Sequence, residues 1–122
     1  MKDDEPKITE PDPATPIDCS KDLKLRWSKN VTAVKKWWLC VADEVAYKAG
    51  EWNIRNEDFH KESEDTIFAK ELLGVETLYV QVIGTIDGKR KNGKPHGMEE
   101  QVSSAVAVYP CKVAASAKQS AP

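Results

Sequence analysis

The chain has 122 residues, a length that suits one domain with one hydrophobic core. Its 18 basic and 20 acidic residues are interspersed and leave a formal net charge of -2, which argues against a protein built to coat nucleic acid or an anionic membrane. No apolar run approaches the roughly 20 residues needed to span a bilayer, and the opening Met1-Lys2-Asp3-Asp4-Glu5 lacks the apolar segment of a signal peptide. The chain therefore reads as soluble, either cytosolic or a mature exported domain.

Residues 1–18 combine acidic side chains with Pro6, Pro11, Pro13 and Pro16, which exclude a helix and suit an extended lead-in. Ile8 and Ile17 can seat parts of it as short edge strands, where proline is tolerated. From Leu23 to Ser28, Leu23, Leu25 and Trp27 alternate with Lys24, Arg26 and Ser28, a strand with one dry face. A loop over 29–33 leads to a strand from Lys36 to Asp43. It is apolar on both sides, with Trp37, Leu39 and Val41 on one and Trp38, Cys40 and Ala42 on the other, so it is central or covered. Asp43 to Ala49 can make a helical turn, and Gly50 to Ile54 reads as a short strand after a turn.

Residues 55–65, RNEDFHKESED, show no periodicity and read as a solvated loop with Phe59 tucked beneath it. Thr66 to Lys70 is a short strand with Ile67 inward. The strongest pattern follows: from Thr77, Leu78, Val80 and Val82 alternate with Tyr79, Gln81 and Ile83. Asp87-Gly88 opens a polar hairpin that returns through Val102 to Tyr109. The ending AASAKQSAP has nothing to bury. About seven short strands at roughly 8 to 12 residue spacing form the signature of an all-β, antiparallel β-sandwich. The expected division is a lead-in over 1–18, a sandwich over 19–111 and a tail over 112–122.

The residue types exclude little chemistry outright but favour none. His60 and His96 lack the spaced partners of a metal site or a triad. Glu57, Asp58, Glu62, Glu64 and Asp65 could gather a calcium ion only from a tight turn, and the ligand spacing of such a loop is missing. A non-enzymatic protein with no cofactor and no metal is the expectation. Three cysteines are an odd number, so at least one stays free or pairs with another chain. Cys40, among tryptophans in mid-strand, reads as a buried thiol.

Leu23-x-Leu-x-Trp27-Ser28, the aromatic strand Trp37 to Val41, and Leu73-Gly74-Val75-Glu76-Thr77-Leu78-Tyr79-Val80-Gln81-Val82 together resemble the B, C and F strands of a fibronectin type III or bacterial immunoglobulin-like module. The resemblance covers about Asp22 to Tyr109. Leu73, Thr77 and Tyr79 fall at the offsets of the family's tyrosine corner. Two departures stand out: Val75 replaces the turn proline, and Leu78 rather than Tyr79 is in phase with Val80 and Val82. A bulge near Tyr79 would reconcile them; without one, Leu78 takes the inward slot. In that arrangement the two ends of a module lie at opposite poles, which disfavours a bond between Cys19 and Cys111. Cys19 nevertheless precedes strand B, where the chain can run beside the end of the last strand, so a disulfide stays open. It requires Cα atoms within about 7 Å and implies an exported protein, periplasmic, extracellular or on a virion surface.

The resemblance also implies that the loop between the last two strands is a recognition site. Here that is Asp87 to Gly97, which carries Lys89, Arg90, Lys91, Lys94 and His96 with three glycines. A rigid sandwich presenting a variable loop is the general arrangement for binding; the plainer reading is a Lys-rich hairpin that keeps the protein soluble. No aromatic residue is interleaved to stack bases, which argues against nucleic acid. Trp38 and Trp52 offer a second surface, a platform for a sugar ring or a protein, against the alternative that both are packed. The expected function is a protein-binding module acting through residues 87–97. A carbohydrate-binding module using Trp38 and Trp52, or a structural spacer, are the alternatives.

Overall fold

The computed structural model describes residues 6–28, 34–60, 62–89 and 95–113, and only the backbone at 57–60, 87–89, 95–100 and 113. In chain order the elements are β1 (Ile8–Glu10), β2 (Ile17–Asp18), β3 (Leu23–Trp27), β4 (Lys36–Asp43), α1 (Glu44–Lys48), β5 (Arg55–His60), β6 (Glu64–Ile67), a 3-10 turn at Ala69–Leu72, β7 (Thr77–Lys89), β8 (Pro95–Ser103) and β9 (Ala107–Val113). The fold is all-β, in two open sheets. One has the order β1-β3-β6; the other runs β2-β9-β7-β4-β5, with β8 also on β7.

Alternation decides which face is dry. Leu23, Leu25 and Trp27 of β3 are buried while Lys24 and Arg26 are exposed, and Leu78, Val80 and Val82 of β7 are fully buried beside Trp37, Leu39 and Val41 of β4. Residues of both sheets form a single cluster, completed by Ile8, Ile17, Ile67, Leu72, Val75 and Tyr109. Each large side chain hidden there contributes about 1.5–3 kcal/mol. Trp27 and Trp37 meet edge to face at 5.8 Å between ring centroids and join the sheets at one end of the core.

The second sheet is built on one long hairpin. Along one edge, β7 pairs with β4 from Leu78 to Thr85. Along the other it pairs with β9 at Thr77 to Val80 and with β8 from Ile83 onward. Strands β8 and β9 thus lie end to end, interrupted where residues 104–106 face Gln81 and Val82, a bulge with one extra residue. Ser104 repairs the ladder. Its N–H donates to the Val82 carbonyl at 2.8 Å, and its hydroxyl accepts the Val82 N–H at 3.0 Å. The Gln81 side-chain amide donates to the Ser104 carbonyl at 2.9 Å.

The acidic, proline-bearing lead-in contributes to both sheets. Ile8 pairs with Trp27 in the first, and Ile17 lies parallel to Cys111 in the second. Between them the Tyr109 hydroxyl donates to the Pro11 carbonyl at 2.7 Å, and the Ala14 N–H donates to the Val108 carbonyl at 2.9 Å. Cys19 and Cys111 form a disulfide with Cα atoms 5.5 Å apart. Cys40 is free and buried, and burial pushes its thiol pKa up to about 11.

Two local expectations change, and a question left open is decided. Residues 55–65 are not a solvated loop but hold β5 and the start of β6: Arg55 pairs with Val41, and Asp65 with Leu25. Residues Gly50 to Ile54 form no strand. Instead α1 starts on Asp43, whose side chain accepts the Ala46 N–H at 2.9 Å, and Gly50 at φ +83° lets the chain leave the helix. Finally, β4 and β7 stay in unbroken register past Tyr79. No bulge turns that ring inward, so Leu78 fills the core slot and Tyr79 faces outward, stacked on Tyr47 at 4.2 Å.

Candidate functional site

Pairing of β4 with β7 ends at Lys36 and Thr85, but the β7–β8 ladder continues through Ile86–Glu100 and Asp87–Glu99 to Lys89–Pro95. The four residues after Thr85 carry the ribbon about 13 Å past Lys36, the first residue of β4, at 3.3 Å per residue. Two strands of backbone hydrogen bonds support this arm, with a shift of register between Asp87 and Lys89. Lys89 ends β7 and His96 lies in β8, each described by its backbone. Arg90, Lys91 and Lys94 lie outside the described residues.

The outer face of the second sheet carries the aromatic residues. Trp38 sits in a row with Ile83 and Ser103, half-buried, and its indole N–H donates to Asn56 Oδ1 at 2.6 Å. Four residues further along β4, about 13 Å at strand spacing, Ala42 pairs with Tyr79. Tyr47 of α1 covers Tyr79 in parallel, and Trp52 leans on Tyr47 at 5.5 Å and 58°. Trp38 and Trp52 therefore belong to opposite ends of the strand, each with a neighbour already on its ring or its donor.

A third feature had no counterpart in the sequence reading. Arg55 projects from the inner face of β5, and its Nε and Nη2 donate to the two carboxylate oxygens of Glu71 at 2.8 Å each. Nη1 donates to Asp65 at 3.1 Å, and Nη2 also donates to the Thr66 carbonyl at 2.9 Å. The bidentate pair and its neighbours bolt the edge of one sheet to β6 and the 3-10 turn of the other. Arg55 holds the Glu71 carboxyl below its ordinary pKa, aided by the Phe68 N–H that it accepts. Beside this cluster lies an open depression of about 340 Å³ lined by Asp43, Asn53, Ile54, Glu71, Leu73 and Val75.

The acidic residues of this region are mostly committed. Glu64 pairs with Arg26 at 3.0 Å and Asp65 with Arg55. Asp43 caps α1 and accepts from Asn53 Nδ2 at 3.1 Å. The signal that could have found the cluster is Arg55 itself, placed directly opposite an inward valine once β5 is recognised as a strand. Comparison with protein families, with curated proteins and with solved structures finds no match.

Proposed function

We propose that the chain is a non-enzymatic recognition module, a β-sandwich of the fibronectin type III or immunoglobulin-like kind, which contacts a protein partner through residues 87–97. The observation that supports this reading is the projecting ribbon. The β7–β8 ladder runs on past the first residue of β4 to Lys89 and Pro95, within a segment of four basic residues, three glycines and a proline. Recognition by a loop on a rigid scaffold leaves the fold insensitive to the loop's sequence. The disulfide between Cys19 and Cys111 supports an exported location, where such bonds persist.

A carbohydrate platform draws less support, because Trp38 already donates to Asn56 and Trp52 packs on Tyr47. The test is capture from extracts of the source organism with immobilised wild type beside a variant in which Lys89, Arg90, Lys91 and Lys94 are changed to Ser. A protein retained by wild type alone is the expected result. Retention by both places recognition away from the hairpin, and retention by neither favours a spacer.

A further inference from the structure

The disulfide joins two points 92 residues apart in sequence, and strands β3 to β8 all lie between them. Strand β2 runs parallel to β9, with Ile17 beside Cys111 and Asp18 beside Val113. A pull on the N-terminal side of β2 and the C-terminal side of β9 is therefore directed along the two strands in opposite senses, with the bond between them.

We infer that the domain is a tension-bearing link. Load entering through residues 6–18 and leaving through residues 112–113 crosses the bond from Cys19 Sγ to Cys111 Sγ, and once the lead-in has peeled from β3 the sheets between those cysteines carry none of it. What the load can still disturb is the lead-in. Its fastenings are the Ile8–Trp27 pairing, the Ser28 N–H donated to the Lys7 carbonyl, the Tyr109–Pro11 hydrogen bond and the buried Ile17. Peeling all of it from Pro6 to Cys19 adds at most about 45 Å, at roughly 3.5 Å per extended residue. Reduction changes the load path. A dithiol supplies two electrons, the sulfur–sulfur bond breaks, each cysteine takes up a proton, and the dithiol closes to its own cyclic disulfide. The sheets then stand in series with the load. The oxidised chain is thus a spacer whose extension under tension is bounded by the lead-in, a property independent of what the hairpin binds.

Single-molecule stretching of the whole chain between two handles tests this, with the sample's thiols counted by alkylation in denaturant without reductant. The expected count is one, from Cys40, and the expected extension of the oxidised protein stops at the lead-in. After reduction the same molecule should lengthen by roughly a further 300–330 Å at full extension, whether or not it had refolded, as 92 residues are released. Three alkylated thiols before reduction, or a 300 Å step from a sample with one, would overturn the inference.

Discussion

Gly84 lies directly under the indole of Trp37: a Cβ placed on it would come 2.7 Å from Cζ3 of that ring. The two residues are cross-strand partners in β7 and β4, and Trp37 is fully buried, so its ring has no room to retreat. Gly84→Ala should destabilise the domain by about 1–3 kcal/mol, the usual cost of overpacking. Urea unfolding followed by tryptophan fluorescence would show it as a lower midpoint at constant slope. A change within 0.5 kcal/mol would mean that the ring is not held where it stands.

Arg55 tests the join between the sheets. Arg55→Met removes the shared donor of Glu71 and Asp65 and leaves two partly buried carboxylates without it. Side-chain exposures of 13% for Arg55 and 21% for Glu71 place the pair short of full burial, so about 2–3 kcal/mol is expected rather than the 3–5 of a fully buried pair. Arg55→Met with Glu71→Met should recover part of that loss, and a double-mutant cycle by chemical denaturation measures the coupling.

The same pair sets an acid limit. The folded-state pKa of Glu71 lies below its unfolded value, so its contribution to stability is complete above the ordinary Glu pKa of about 4.3. It is lost as the pH falls from there through the folded pKa. Thermal unfolding between pH 6 and 2.5 should show wild type losing stability below about pH 4.5, with a smaller loss in Glu71→Gln. Parallel profiles would remove Glu71 as the cause.

Ser104→Ala takes away the oxygen that accepts the Val82 N–H in the bulge. A buried amide left without an acceptor costs about 1–3 kcal/mol. Faster hydrogen exchange at Val82, with the amides of β4 unchanged, is the expected result.

The strands that could be read from sequence are those in which one face is dry. Leu23, Leu25 and Trp27, and Leu78, Val80 and Val82, carry period-2 patterns because the opposite sheet covers that face alone. The two-sided apolar run of β4 follows from its central place and from cover on its outer side, where Tyr47, Trp52 and Tyr79 cluster. Ile8 and Ile17 were visible as edge positions for a different reason, the prolines around them, which a sheet tolerates at its edge. Strand β5 was hidden because its inward residue is a charged Arg55, and the carboxylates that neutralise it come from the following strand and turn. Helix α1, by contrast, falls within the helical turn read over Asp43 to Ala49; it is five residues long and depends on a cap at Asp43 more than on any apolar period. Asp87-Gly88 announced the hairpin of β7 and β8, but the length of its ladder had no signature, because backbone groups make it and it needs no apolar alternation.

The disulfide also bears on how the chain is made. Cys19 leaves the ribosome long before Cys111, and the first thiol to follow it is Cys40. Cys40 lies in mid-β4 between Gln81 of β7 and Asn56 of β5 and is buried in the folded domain. A chain made only as far as β4 holds Cys19 and Cys40 and no third thiol, and an oxidant acting on it would join the wrong pair. In the finished sheet Cys40 is buried with its thiol pKa raised to about 11, which holds the one unpaired thiol among the described residues back from exchange with the Cys19–Cys111 bond.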